Sequence, residues 1–533
     1  MARSPLFRKL VLALQTARRE NLKAQDLPLP LPYSAGNWTR RKFIKTTAAV
    51  GATGLASGCL SFPADVEAMP AAPNIAIIGA GIAGLNAAYQ LKKMGFAATV
   101  YEARSRIGGR MWSVDMGNGL MVDLGAELIN TDHADMRALA KEFGIKLFNR
   151  VKDVKDLPFP KETYYFNGIS VSEADLVDDL RLIVAQITTD AKLLDQDWDT
   201  YAPQFDRLSV ADYLALHADK INRPYIFELF KDVIRTEFGV EPHESSAIQL
   251  ILVLPIIDGQ TVELLSYSDE VYSVVGGSDR ITNALGAKLA GHICLGMRLT
   301  EIKKQASKFR LTFANKSTVD ADMVIVAIPF PVLSGVVINA PLPKLLRCFI
   351  NEAKLGSNEK VLGSFRSRFW RQADGFTIGA WSDLGFSEAW DATQRQPSRT
   401  DGALNFFLGG NQARELGNIA NVTSLGNQFV SRLNNFIPGA LDAATGQFIK
   451  TAWTKSPLTT GGYANYKPGQ LTRFGSLFWI ESDIPEERQQ VTAGHLIFAG
   501  EHLSDAYYGF MNGGAQTGRL AANLVLEKIA AAV

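Results

Sequence analysis

The chain runs to 533 residues with 55 basic and 54 acidic side chains, and 47% of it is hydrophobic against 20% charged. That balance belongs to a globular protein and excludes a disordered, collagen-like or disulfide-stapled chain; at roughly 150 residues per domain it allows about three domains, or fewer interleaved ones. The near-neutral sum conceals a basic leader: residues 1–45 hold ten Lys/Arg against two Asp/Glu, and residues 46–68 add only Asp65 and Glu67. Without that leader the body is mildly acidic, which argues against nucleic acid as a main partner, because phosphate binding needs clustered positive charge.

Within the leader, Thr39-Arg40-Arg41-Lys42-Phe43-Ile44-Lys45 precedes a small, weakly apolar segment from Thr46 to Leu60. The segment is too short and too rich in glycine to span a bilayer permanently. The pattern resembles a twin-arginine export signal, an address read by a translocation machinery that carries folded proteins, and implies a periplasmic or otherwise exported body. The competing reading is a plain basic tail. Leu55-Ala56-Ser57-Gly58-Cys59 resembles a lipoprotein cleavage box shifted by one residue, so a lipid anchor at Cys59 and simple cleavage near Val66-Glu67-Ala68 both stay open. Cys294 and Cys348, the other cysteines, give no disulfide framework and are expected to be buried as small hydrophobes.

Asn74 to Ile78 is a continuous apolar run, read as a parallel strand buried on both faces. It enters Gly79-Ala80-Gly81-Ile82-Ala83-Gly84, and a helical pattern follows from Leu85 to Met94, stopped by Gly95. A second strand, from Ala97, closes at Tyr101-Glu102-Ala103-Arg104. Glycines at this spacing allow a tight turn, close approach of backbone to a pyrophosphate and close helix–strand packing, with the helix N-terminus facing the phosphates. Glu102, at the end of the second strand, is placed to accept ribose hydroxyls. A lone glycine motif is weak; this one has strand, turn, helix, strand and acid in order.

The following residues narrow the dinucleotide. Gly108-Gly109-Arg110 resembles the second phosphate-contacting turn of the flavin amine oxidase family. Asp123-Leu124-Gly125-Ala126-Glu127-Leu128 is similar to that family's strand beside the isoalloxazine ring. Val275-Gly276-Gly277-Ser278 resembles its Gly-Gly turn into a helix, Leu299 the residue whose backbone holds the adenine, and Val324 to Pro329 the strand returning to the cofactor sheet. Phe498-Ala499-Gly500-Glu501 and Gly509-Phe510-Met511-Asn512-Gly513-Gly514 resemble its last strand and helix start. The resemblance implies FAD as cofactor, with Glu501 near the ribityl–pyrophosphate region and backbone from Gly509 to Met511 against the flavin pyrimidine.

It also implies the chemistry: oxidation of a C–N bond by hydride-equivalent transfer to flavin N5, giving an imine and, through oxygen, hydrogen peroxide. A periplasmic electron acceptor is an equal candidate for reoxidation. Lys360, in Leu355-Gly356-Ser357-Asn358-Glu359-Lys360-Val361, matches the lysine that holds a water at N5; a solvated strand lysine is the bland reading. Phe510 matches one of two aromatic rings that flank substrate in many monoamine oxidases. At the other, Ala464 replaces the ring and Tyr463 precedes it, standing where mitochondrial relatives carry a flavin-bonded cysteine, so FAD is expected to be non-covalent. Trp453, Tyr463 and Tyr508 either rebuild the cage or pack as core. The arginine with which amino-acid oxidases bind a carboxylate is missing after Gly125-Ala126; Glu127 and Leu128 stand there, and an acid beside the flavin favours an amine or polyamine.

The resulting fold expectation is an α/β protein: a Rossmann-like, glutathione-reductase-type FAD domain (residues 73–150, 265–330 and 490–533) interleaved with an α+β substrate domain (151–264 and 331–489). Helices are predicted over Val171 to Leu194 and Val210 to Leu216, and strands over Val361 to Phe369 and Ala403 to Leu408. A homodimer is compatible with the sequence. The alternatives are an L-amino-acid oxidase or desaturase of the same superfamily, and a non-catalytic flavoprotein binding module.

Overall fold

The computed structural model describes residues 73–253, 256–258, 261–263, 268–482 and 485–531. The Arg40-Arg41 stretch expected to act as an export signal, Cys59 and the expected cleavage positions lie outside them. The first strand, Ile75–Ile78, is buried throughout, as its unbroken apolar run predicts. It is central in a six-stranded sheet whose order is Ile293–Cys294, Ala98–Tyr101, Ile75–Ile78, Met323–Val326, Leu496–Phe498 and Thr492–Ala493. All neighbours run parallel except the last pair. The helices Ile82–Lys93 and Met511–Ala530 pack tightly together on this sheet.

A four-stranded sheet (Thr318–Ala321, Lys308–Phe313, Leu299–Gln305, Val337–Asn339) extends this unit. Val337–Asn339, expected in the second unit, instead pairs in parallel with Leu299–Gln305. The second unit is built on a seven-stranded sheet ordered Ala444–Lys450, Asn358–Phe365, Gly402–Gly409, Glu388–Asp391, Gly379–Ser382, Glu162–Phe166 and Ile169–Val171. Its two longest strands, Asn358–Phe365 and Gly402–Gly409, are buried at every residue. Helix Glu173–Gln196 starts where Ser172 accepts from the Asp175 amide, and Val210–Leu216 begins with a reciprocal Ser209/Asp212 capping box, which satisfies otherwise orphaned first-turn amides.

Three local expectations change. The segment Asp123 to Leu128 is not one strand: Met121–Asp123 ends, the chain bends, and Leu128–Ile129 joins a different sheet. A Cβ at Gly125 would collide with the Arg110 carbonyl oxygen, so the bend brings two turns into direct contact. The strand read from Val361 begins earlier, at Asn358, and stops at Phe365. Cys294 is exposed and Cys348 half-buried; Cys294 ends the outermost strand of the parallel sheet, where only one neighbour covers it. No helix among the described residues is long and apolar enough to cross a membrane.

Candidate active site

A cavity of about 510 Å³ runs along the carboxyl ends of the parallel strands and on between the two units. Its far end is the glycine turn. Gly79 adopts φ +102°, a left-handed conformation that favours glycine, and a Cβ on Gly81 would project into open space, meeting nothing within 4 Å. Helix Ile82–Lys93 has no side-chain cap at Gly81 and no acid in its first turn, so its first amides stay available to an anion on the cavity side. Glu102 braces the turn, its carboxylate accepting from Ala80 N at 2.8 Å and Arg104 N at 2.8 Å. The second turn docks onto the first: Gly108 N donates to the Ala80 carbonyl at 2.8 Å.

Arg110 and Glu501 both line the cavity and form an ion pair at 2.8 Å. Glu501 also accepts from Gly509 N at 2.6 Å. Burial opposes the Glu501 charge, but Arg110 and that amide hold its carboxyl below the usual carboxylate range. His502, beside it on the wall, is buried with neither ring nitrogen hydrogen-bonded; burial lowers its pKa to about 4, so the ring is neutral at pH 7. Helix Met511–Ala530 begins at Phe510 without a side-chain cap and brings Gly509, Phe510 and Met511 to the wall. Phe510 packs edge-on against the buried His133 ring at 4.8 Å.

Of the residues singled out from the sequence, Gly79, Gly81, Ala83, Glu102, Ala103, Arg104, Gly109, Arg110, Ala126, Leu299, Tyr463, Glu501, Gly509, Phe510 and Met511 line this cavity. Gly84, Gly125, Glu127, Leu128, Lys360, Ala464 and Tyr508 do not. Gly84 and Gly125 are contact points between backbones. Leu128 forms a small apolar cluster with Trp390 and Phe407. Of the aromatic cage, only Tyr463 and Phe510 reach the cavity; Tyr463 donates its hydroxyl to the Thr236 carbonyl. Trp453 donates to the Leu124 carbonyl at 2.9 Å within a separate apolar cluster, and Tyr508 rests edge-on against Tyr466.

Lys360 is not a solvated strand lysine. It is 1% exposed, and Nζ donates to Glu127 Oε2 at 2.8 Å and to the Asp123 carbonyl at 3.0 Å, over the Trp390 ring. Glu127 therefore does not stand ready for a substrate amine. Despite full burial, Lys360 and Arg395 keep its carboxyl below the usual range, and Arg395 also pairs with Asp123 at 2.9 Å. Arg395 was not foreseeable: it comes from a turn after Glu388–Asp391 with no motif around it.

Residues 82–526 match the family profile described as flavin containing amine oxidoreductase. The chain belongs to that family. It is a flavin-dependent oxidoreductase acting on amines. Among its relatives, the flavin-containing amine oxidase of Oncorhynchus mykiss is 25% identical over 477 residues, covering 86% of each chain. An L-amino acid dehydrogenase of Synechocystis is 23% identical, covering 84% of this chain and 94% of that protein. The structure of cyclohexylamine oxidase from Brevibacterium oxydans superposes with a TM-score of 0.72 at 22% identity, over 86% of this chain and 99% of that one. The flavin amine oxidoreductase fold thus spans both units, and the cavity between them is shaped for its cofactor: glycine turns without side chains, two uncapped helix starts and a carboxylate at the strand end.

Proposed function

We propose that the protein is an exported amine oxidase that holds FAD without a covalent bond and converts a small amine to an imine, which hydrolyses to an aldehyde or ketone, with hydrogen peroxide as second product. The observation that carries this reading is the single wall running from the Gly79 turn through Arg110 and Glu501 to Phe510. In this reading the amides after Gly81 hold the pyrophosphate, the spare lone pairs of Glu102 accept ribose hydroxyls, Leu299 backs the adenine, and Gly509 to Met511 cover the flavin pyrimidine. Bound FAD would supply the two-electron oxidant.

The chain's own side chains supply the surroundings. Tyr463 and Phe510 present apolar faces that exclude water and favour the uncharged amine, the form that can be oxidised. Lys360 lies behind the cavity wall and commits two of its three ammonium hydrogens to Glu127 and the Asp123 carbonyl; the third is the one with which it would hold a water between that wall and the reacting centre. No cysteine lines the cavity among the described residues, which supports non-covalent FAD. Amino acids are disfavoured, since Leu128 sits in an apolar cluster and Arg395 is committed to Asp123. The Arg40-Arg41 leader supports export of a folded, loaded enzyme.

The test is anaerobic mixing of the purified yellow protein with amines and amino acids, followed by air and a peroxide assay. Bleaching by amines, recovery in air with peroxide, and release of FAD by acid are expected. A protein that stays colourless after reconstitution with FAD, or a flavin that no amine bleaches, overturns the reading. Export is checked by cell fractionation with Arg40 and Arg41 both changed to lysine, which should strand the protein in the cytoplasm.

A further inference from the structure

Residues 451–463 form a strap between strands Ala444–Lys450 and Ala464–Asn465. Its second half puts Pro457, Leu458, Thr459, Gly462 and Tyr463 on the cavity wall. Pro457 is exposed and Leu458 half-buried, so here a single thickness of chain separates the cavity from solvent. A tight turn shapes the strap: Thr459 N and Thr460 N both donate to the Ser456 carbonyl, at 3.1 and 2.8 Å. Thr460 is held at φ +62°, which a β-branched residue rarely adopts and keeps only where its surroundings impose it.

Those surroundings lead back to one carboxylate. Glu359 is 3% exposed and, being next to Lys360 on a strand, faces the opposite side of the sheet. Its Oε1 accepts from Thr454 N at 2.7 Å and its Oε2 from Trp453 N at 3.0 Å, and Oε2 also takes the Thr451 hydroxyl. Both oxygens are thus spent on one stretch of four residues at the root of the strap. Trp453 passes the constraint on in two directions. Its ring N–H donates to the Leu124 carbonyl at 2.9 Å, steadying the bend before Ala126 on the cavity wall, and its own carbonyl accepts from Thr459 Oγ1 at 3.0 Å. Beyond it the strap is tied by Arg104 Nη2 to Ser456 Oγ at 2.9 Å. At the far end Gly356 pins it, accepting from Gly462 N at 2.7 Å and donating to the Tyr463 carbonyl at 2.8 Å.

Lifting the root of the strap would leave a buried carboxylate without donors, and such charge-assisted bonds are the costly ones to break. A buried apolar residue at this strand position would fill the same space and leave the Trp453 and Thr454 amides unanswered. Taking FAD as the occupant of the cavity, a reading on which this rests, we propose that Glu359 is a positioning residue for the cofactor: it anchors the strap in its closed place and so sets how firmly FAD is retained. Glu359 does not itself line the cavity and takes part in no bond-making step.

The test compares the FAD-loaded full chain with Glu359→Gln, whose amide turns an N–H donor towards donors, and with Ser456→Ala, which loosens the Arg104 tie and leaves the buried carboxylate alone. Flavin release is followed as fluorescence rises after dilution, and strap opening as tryptic cutting after the exposed Lys455, read by mass spectrometry. Glu359→Gln should release flavin about tenfold faster than wild type, change the visible circular dichroism of the flavin still bound, and be cut early after Lys455. Ser456→Ala should move release and cutting the same way by less. Flavin release within about twofold of wild type in Glu359→Gln, or a Lys455 no more accessible there, overturns the proposal. So does opening of every tryptic site alike with the flavin's dichroism unchanged, which marks a merely structural role. Should Glu359→Gln not fold, wild-type release from Ser456→Ala overturns it. A wild-type chain that takes up no FAD defeats the cofactor reading instead, and cutting after Lys455 in the variants still decides whether Glu359 anchors the strap.

Discussion

Lys360 and Glu127 show at the scale of single residues why a buried ion pair is a poor stabiliser and an exacting positioner. Removing one partner of such a pair strands the other charge, which costs about 3–5 kcal/mol. Lys360→Met should therefore lower unfolding free energy by about 3 kcal/mol, and Glu127→Gln on top of it should recover a good part of that. The same variant should slow reoxidation of reduced flavin about a hundredfold, the low end for a positioned proton carrier. Denaturant melts and stopped-flow traces check the two halves; rates and stability both equal to wild type would remove Lys360 from the site. His502 makes a pH prediction. Its folded pKa of about 4 lies below the unfolded value, near 6.5, so the unfolded chain binds the proton more readily. Stability is lost as pH falls from about 6.5 towards 4, by up to roughly 3 kcal/mol. His502→Asn should melt progressively higher relative to wild type as pH drops through that window, and a pH-independent difference between the two would contradict it.

Elements carry the close contacts. Helix Met511–Ala530 crosses Ile82–Lys93 on its Gly514 and Gly518 face: a Cβ at Gly518 would collide with the Ala83 carbonyl oxygen, and one at Gly514 would come 2.8 Å from Ile82 Cγ2. Gly518→Ala must push the helices apart, at about 1–3 kcal/mol, and because Gly81 and Ala83 line the cavity it should also loosen the cofactor. A lower melting temperature with reduced flavin occupancy after dialysis is the expected pair of results; full occupancy would mean that the crossing does not transmit to the turn. This is the layer the sequence exposes best. The Gly79 to Gly84 turn, both predicted helices and the parallel core strands are written in local spacing and apolar runs. The strand from Asn358 was harder, because Asn358, Glu359 and Lys360 look solvated. Instead each is buried against a partner far along the chain: the Arg235 carbonyl at 2.9 Å, the Trp453 and Thr454 amides, and Glu127. Alternation rules assume that polar residues face water, and here they face one another.

At the scale of the whole molecule, the cavity wall is drawn from six stretches: residues 78–111, Ala126, 297–299, 327–336, 457–463 and 500–514. The Arg110–Glu501 pair joins residues 391 apart in sequence, and Arg110 Nη1 also reaches the Gly462 carbonyl at 2.6 Å, so both units meet at one guanidinium. A ligand seated on such a wall touches every stretch at once, and the unfolded chain offers it no comparable surface. Free energy of binding then appears directly as stability of the assembled form. FAD-depleted protein should melt well below the loaded form, and the midpoint should climb with added FAD, by about 2.7 kcal/mol in unfolding free energy at a hundred times the dissociation constant. Arg110→Met should flatten that climb, because it unties the helix start at Phe510 from the Gly108-Gly109 turn through Glu501. Titrating FAD into both proteins while following tryptophan fluorescence on heating gives the comparison. A midpoint indifferent to FAD in the wild type would mean that the two units close without the cofactor between them.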